Sequence, residues 1–220
     1  MGRPRLSEGS IRETRKHLIW ATQNLIERDG LESITIRKIA QEAEVNSAIL
    51  YKCFQDLDEL ILFACVDNLK DYTRELQSLR HQMKDASALE IYLTLWELFC
   101  RYSFRFPECT QHLFFGRHSG RLDNVVRSYY ELFPEQLESI SNQLLPMLWE
   151  SRLGRRNLEL LMPVLRDTTG EEKILLINDL TVAFFQSLLN HKVAEKGQAD
   201  DGILTGRMLE ACRFLLSVPE

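Results

Sequence analysis

The chain has 220 residues, 45% hydrophobic and 27% charged, an ordinary globular balance that excludes a disordered or fibrous chain. No run of about 18 apolar residues offers a membrane span, and residues 1–16 are polar and basic, without the apolar stretch of a secretory signal. The net charge of −5 and pI of about 5.6 argue mildly against nucleic acid, but the charges are unevenly placed. Arg3, Arg5, Arg12, Arg15 and Lys16 crowd the start, and Arg37, Lys38 and Lys52 follow. Acids gather at Asp56, Asp58 and Glu59, at Glu171 and Glu172, and at Asp200 and Asp201. An acidic body with one basic end binds polyanions at that end; on charge alone, a merely solvated charged surface is an equal reading. Cys53, Cys65, Cys100, Cys109 and Cys212 form no C-x-x-C pair or Cys/His cluster, which points to reduced thiols in a cytoplasmic protein and to no zinc site. Cys109, in a stretch that reads as a loop, is a candidate redox sensor. No motif implies a cofactor or a metal.

In chain order, residues before Ser10 read as a flexible arm. Ser10 with Glu13 forms a capping-box pattern. Ile11, Leu18 and Leu25, with Ala21, give one apolar face to a helix ending at Asp29–Gly30. Thr35 caps a short helix in which Ile36, Ile39, Ala40 and Ala43 follow a single buried face. After the turn at Ala43, Glu44 and Val45, Asn46 opens a second short helix through Phe54, with Val45, Leu50 and Phe54 inward. Helices joined by so brief a turn cross steeply, and the first helix closes the triangle. Asp56 caps a long helix from Asp58 to about Arg80. A helix follows from Ala86 to Phe106, stopped by Pro107. Gly116 and Gly120 bracket a break, and Leu122–Leu145 is helical in pattern with a boundary near Pro134. Asn157–Leu165, Glu171–Ala194 and Leu204–Leu216 complete an all-α chain. Its expected division is a helix-turn-helix domain over 1–56 and a larger helical domain over 57–220.

Sequence-specific reading of a duplex needs a helix polar on one face that enters the major groove, with anchors on the phosphates. The second short helix turns Ser47, Ala48, Ile49, Tyr51 and Lys52 outward. Ser47 can hydrogen-bond a base edge or phosphate, Ala48 and Ile49 can pack on a thymine methyl, and Tyr51 and Lys52 can reach phosphates. Thr35 and Arg37 open the preceding helix, whose N-terminus favours anions. Arg3 and Arg5 on the arm add further cationic contacts.

The stretch from Gly30 to Leu60, with Thr35, Arg37, Ile39-Ala40, Ala43, Val45, Leu50-Tyr51, Phe54 and Glu59-Leu60, resembles the TetR family of bacterial repressors. The likeness covers roughly Ile11 to Leu62; the remainder fits the family in length and helicity. The resemblance implies a three-helix DNA-binding domain, a ligand-binding and dimerising C-terminal domain, and repression of a palindromic operator relieved by a small effector. Two positions depart from the family pattern. Glu44 stands where the turn glycine is usual, and Leu57 stands where a lysine is usual. Both departures predict a weaker dependence of DNA binding on salt.

The middle of the chain is rich in aromatics, with His112, Arg117, His118 and Arg121 alongside. A cavity between helices, lined by Trp96, Phe99, Phe114 and Phe115 with His112 and Arg117, is the candidate site for an apolar or aromatic effector, or an anionic one. A filled core with basic surface residues is the alternative. Residues 171–194 carry more apolar side chains than one buried stripe needs. Leu180, Phe184 and Leu188, with Met208 and Cys212 from the last helix, are the candidate homodimer interface, a four-helix arrangement. Against an enzyme stand the lack of a Gly-rich phosphate loop, a G-x-S-x-G elbow and an H-E-x-x-H pair. A helical enzyme of another type and a pure protein-interaction module remain as competing readings.

Overall fold

The computed structural model describes residues 8–136, 150 and 152–217. Arg3 and Arg5, Trp149, and the helical pattern over 137–145 lie outside them. Among the described residues there are eleven α-helices and no strand. They are α1 (Glu8–Asp29), α2 (Ile36–Glu42), α3 (Ser47–Cys53), α4 (Leu57–Asp67), α5 (Lys70–Gln82), α6 (Ala88–Arg105), α7 (Pro107–Phe114), α8 (Leu122–Leu132), α9 (Leu153–Leu165), α10 (Glu171–Ala194) and α11 (Asp201–Ser217).

The first helix begins ahead of Ser10, which lies inside it and does not cap it; the Ser10 carbonyl accepts from Thr14 Oγ1 at 2.7 Å. Leu18, Ala21 and Leu25 form its buried face, and Gly30, at φ 79°, turns the chain out of it. Thr35 caps α2 by accepting from the Lys38 N–H, and Asn46 caps α3 by accepting from the Ala48 N–H. Ile39, Ala43, Leu50 and Phe54 close the three-helix core. The turn between α2 and α3 is a Schellman motif. The Val45 N–H donates to the Ala40 carbonyl at 2.9 Å and the Glu44 N–H to the Gln41 carbonyl at 3.2 Å. Glu44 occupies the left-handed position at φ 52°.

One continuous helix was expected from Asp58 to about Arg80. The chain instead breaks at Asn68–Leu69, between α4 and α5. The cause is side-chain chemistry at the break. Buried Asn68 accepts from Gln23 Nε2 at 2.7 Å and donates to Cys109 Sγ at 3.3 Å. Beside it, buried Asp67 accepts from the Tyr129 hydroxyl at 2.6 Å and pairs with Lys70 at 3.0 Å. These partners come from α1, α7 and α8, so the tertiary fold ends the helix where periodicity would continue it. Cys109 is likewise buried within α7; it is no loop thiol, and the redox-sensor expectation loses its basis of exposure.

The larger layer is a helical bundle. Ser87 and Glu90 form a capping box at α6. Pro107, which ends α6, is also the first residue of α7, where its missing N–H costs nothing. At Gly116 a Cβ would lie 2.5 Å from the His112 carbonyl oxygen, so only glycine lets the chain leave α7 at this angle. Helix α6 lies under α11 and is flanked by α9, while α10 packs on α7, α9 and α11.

Left-handed backbone at a non-glycine residue costs about 1 kcal/mol. Glu44→Gly is therefore expected to stabilise the protein by about 1 kcal/mol, seen as a higher urea midpoint at unchanged slope. A lower midpoint would show that the Glu44 side chain makes a compensating interaction.

Candidate nucleic-acid interface and effector cavity

Helix α3 presents the outward face that its sequence implies. Ser47, Ala48, Tyr51 and Lys52 are exposed, Tyr51 at 60%, while Leu50 is fully buried and Cys53 and Phe54 pack beneath. Ile49 is only half-buried and touches the core cluster, so it is partly a packing residue. Thr35 and Arg37 are exposed beside this face. Lys38 pairs with Asp29 at 3.4 Å, an exposed contact of small energetic weight.

The cations of α1 are placed differently. Arg12 donates to the carbonyls of Leu132 and Glu131 at 3.1 and 3.2 Å, at the C-terminal end of α8. The Arg15 guanidinium lies 5.1 Å from the ring centroids of both Phe54 and Phe63. Lys16 sits 5.3 Å from the Phe133 ring. These three charges hold the three-helix unit to the body, so the basic patch left for an anion is narrower than the sequence count suggests.

Three further contacts tie the turn before α2 and the start of α4 to α7 and the segment that follows it. Arg121 grips Asp56 with Nη1 at 2.9 and 3.2 Å from the two carboxylate oxygens, and its Nη2 donates to Gln55 at 3.0 Å. Asp56 is also the N-cap of α4, accepting from the Glu59 N–H at 2.7 Å. Partial burial pushes the Asp56 pKa up, but the Glu59 N–H and Arg121 outweigh it and hold the carboxyl below its usual range. Arg117 pairs with Asp58 at 3.5 Å, and Glu108 accepts from the Leu31 N–H at 2.7 Å.

Among the described residues, an open cleft of about 790 Å³ lies where Ile26–Glu32 face Arg105–Cys109 and Val193–Gly197, and two small cavities lie inside the body. The first, about 30 Å³, is lined by Tyr72, Leu95, Trp96, Phe99, Leu153, Arg156, Asn157 and Leu160. The second, about 20 Å³, is lined by Val66, Leu69, Tyr72, Thr73, Leu113, Phe114, Leu122, Val126, Tyr130 and Arg156. Trp96 and Phe99 thus line the first and Phe114 the second. The other expected ligand residues line neither. Phe115 stacks toward Phe185, at 6.3 Å between ring centroids. His112 is half-buried, and burial draws its pKa down against the pull of Asp58. Arg117 is exposed at the junction with α4. His112 and Arg117 are thus turned toward Asp58 of α4 and Phe115 toward Phe185 of α10, and all three miss the cavities.

The cation on the cavity walls is Arg156, which sequence reasoning missed. A signal was present: Leu153, Arg156, Asn157, Leu160 and Leu161 share one helical face, so a charge interrupts an apolar stripe. Asn157 is a further polar residue on the first wall. It accepts from the Tyr92 hydroxyl at 3.0 Å and Trp96 Nε1 at 2.9 Å, and donates to Asn178 at 2.9 Å. Burial pushes the Tyr92 phenol pKa upward, far from neutral pH, so it remains a hydrogen-bond donor.

The expected pairing surface also needs correction. Leu188, Met208 and Cys212 are buried at 3%, 0% and 1% within the chain itself, because α11 packs this face onto α6. Leu180 is exposed and Phe184 half-buried. The exposed apolar side chains on these two helices include Leu176, Leu180, Ile203 and Phe214. Among the described residues, no group of three or more His, Cys, Asp or Glu could hold a metal, and no helix is long and apolar enough to cross a membrane.

Residues 18–63 match the family model described as bacterial regulatory proteins, tetR family. A 77-residue stretch is 34% identical to the HTH-type nicotine-responsive transcriptional repressor HdnoR of Paenarthrobacter nicotinovorans. That stretch covers 35% of this chain and 40% of the HdnoR length. Whole-chain likeness appears among solved structures. FadR of Thermus thermophilus, a TetR-family transcriptional repressor in complex with lauroyl-CoA, superimposes with a TM-score of 0.58 at 16% identity, over 94% of this chain and 96% of that one. RolR in complex with resorcinol gives 0.55 at 17% identity, over 97% of each chain.

The Asp56 carboxyl titrates below its unfolded value, so its contribution to stability is present above about pH 4 and fades as pH falls through the folded value. Asp56→Asn keeps a capping side chain but loses the ion pair. The thermal midpoint of this variant should lie below that of the wild type at pH 7, with the gap closing towards pH 3. A gap that stays constant with pH would assign the loss to capping and not to the Arg121 grip.

Proposed function

We propose that the chain, whose residues 18–63 match the model of bacterial regulatory proteins, tetR family, is a DNA-binding transcriptional regulator. It acts as a repressor, grips a palindromic operator as a homodimer, and is released when a small organic effector occupies the body. The observation that carries this reading is the exposed face of α3. Ser47, Ala48, Tyr51 and Lys52 stand outward from a helix whose inner side is fixed by Leu50 and Phe54. Thr35 and Arg37 on α2 supply backbone anchors beside it. Residues 1–56 form the reading head in this proposal and 57–220 the effector and pairing domain. Work on chromosomal DNA implies a cytoplasmic protein.

A second copy of the chain covers the exposed face of α10 and α11. Leu176, Leu180 and Phe184 recur at helical spacing on one, and Ile203 and Phe214 on the other. A twofold axis there sets two α3 helices about 34 Å apart, one duplex turn. An effector that favours a different spacing of the heads weakens DNA binding by population shift. The nicotine-responsive relative and the resorcinol- and lauroyl-CoA-bound proteins of this fold support an organic effector, and the two repressors among them support the direction of control.

The direct test is a mobility shift with the promoter region of the protein's own gene. Specific retardation at moderate salt supports the reading; its absence, with wild-type folding verified, overturns it. Lys52→Ala is expected to weaken binding similarly on all sequences and to lower the salt slope by about 1. Leu180→Glu combined with Ile203→Glu is expected to give a monomer by sedimentation at micromolar concentration, with half-sites bound independently. A variant that still dimerises would move the interface elsewhere.

A further inference from the structure

We propose that Cys65 and Cys109 form an oxidation site, at which a hydroperoxide entering the cleft beside α1 converts the two thiols into a disulfide that joins α4 to α7. The cross-link itself stands apart from the DNA-binding reading above; its consequence for operator affinity rests on that reading.

Exposure does not carry this site, since Cys65 is 0% and Cys109 2% exposed; contact does. Helices α4 and α7 pack on each other, and the two thiols meet there in a hydrogen bond. A second contact fixes the same neighbourhood. Asn68 stands three residues after Cys65, on the same face of α4, and its Nδ2 donates to Cys109 Sγ at 3.3 Å. Cys100 and Cys212 also lie near each other, but Cys212 is hydrogen-bonded to Tyr92 and neither lines the cleft. The two thiols of the site differ. Burial and the adjacent Cys109 thiol push the Cys65 thiol well up, so it stays protonated. Cys109 lies on the wall of the cleft of about 790 Å³ and in the first turn of α7. A helical Cα–Cβ bond tilts toward the N-terminus, where unpaired N–H groups give the helix its positive end. That end and the Asn68 N–H both set positive partial charge against the Cys109 sulfur, the surroundings of a reactive cysteine. The carboxylate of Glu108, its chain neighbour, is turned to the Leu31 N–H at 2.7 Å.

Cys109 therefore attacks first. Its sulfur bonds to one peroxide oxygen and the O–O bond breaks. The departing oxygen takes the thiol proton and leaves as water, or as an alcohol from an alkyl hydroperoxide. Cys65 then attacks the sulfenic sulfur. The S–S bond forms, the S–O bond breaks, and the hydroxyl leaves with the Cys65 proton as water. Two thiols lose two electrons in all, and one peroxide gains them. Bonded sulfurs stand about 2 Å apart, well inside the contact of two thiols, so α4 and α7 shift against each other as the bond closes. Helix α1 holds α4 on its other side. In a close-packed interior the shift therefore reaches the seat of the reading helices.

The test treats the reduced full chain with excess hydrogen peroxide at about pH 8, then counts free thiols under denaturing conditions and maps the peptides by mass spectrometry. The count is expected to fall by two from the five of the reduced chain, with one disulfide, Cys65 to Cys109, inside a single chain. A variant combining Cys53→Ala, Cys100→Ala and Cys212→Ala should form the same bond. Cys65→Ala should stop at a sulfenic acid on Cys109, trapped by dimedone, and Cys109→Ala should give no such adduct at Cys65; the reverse pattern overturns the order of attack. Should a variant fail to fold by circular dichroism, the wild-type map decides. An unchanged thiol count, a disulfide between other cysteines or between chains, or a sulfinic acid on Cys109 without a bond to Cys65 overturns the site. The cross-linked protein is expected to bind its operator at least about fivefold more weakly, with affinity restored by dithiothreitol. Equal affinity of the cross-linked and reduced chains overturns the link to the reading helices. Failure of the reduced chain itself to retard duplex counts against the DNA-binding reading and leaves the thiol count to judge the oxidation site.

Discussion

The structure depends on one constraint: α4 has no exposed side. Leu60 through Asp67 are all buried, so the helix is apolar almost around its circumference and must be enclosed. Helix α1 encloses it from the reading unit, and α7 and α8 from the body. Two regions of the chain are thereby packed against a single rod. Interiors are close-packed and respond to displacement by shifting between discrete arrangements. A helix in this position cannot be moved on the body side without disturbing its contacts with α1.

Polar contacts decide where that rod starts and stops. At its N-terminus Asp56 serves two partners, the Glu59 N–H and Arg121. At its C-terminus Asp67 and Asn68 reach α8, α7 and α1. Buried polar groups of this kind hold well only when every member is paired. The two ends are thus fixed by residues from the body, and the base of α3, three residues before Asp56, inherits that position. Arg12, Arg15 and Lys16 of α1 act in the same sense, since they reach α8, Phe63 and Phe133.

The body shows the same interplay of apolar packing and placed charge. The aromatic run from α6 to α7 largely fills the core: Phe185 alone stands near Trp96, Phe99, Phe104 and Phe115. The two cavities left inside the core are narrow, and Arg156 lines both. A buried arginine carries a desolvation cost that good packing with hydrocarbon would not. Its location on two cavity walls is consequently more informative about chemistry than the size of either cavity.

Much was legible from sequence alone. Caps at Thr35, Asn46 and Asp56, the inward triad of Ile39, Leu50 and Phe54, and the boundaries of α10 are local properties, set by side-chain-to-backbone hydrogen bonds and by a period of 3.6 residues. The outward face of α3 follows from them, because fixing which side is inward leaves no choice about the other. Four things were decided by the fold. The helix after Asp56 breaks at Asn68 because its partners are distant in the chain. Of the apolar residues on α10 and α11, Leu188, Met208 and Cys212 go inward and Leu180 does not, because α6 lies against one side. The cavity cation is Arg156 and not Arg117, because Arg156 lies on the face of α9 that lines both cavities, while Arg117, beyond the end of α7, pairs with Asp58. Arg12, Arg15 and Lys16 meet rings and carbonyls brought from elsewhere. Periodicity tells which residues share a face; only the packing of whole helices tells what that face meets.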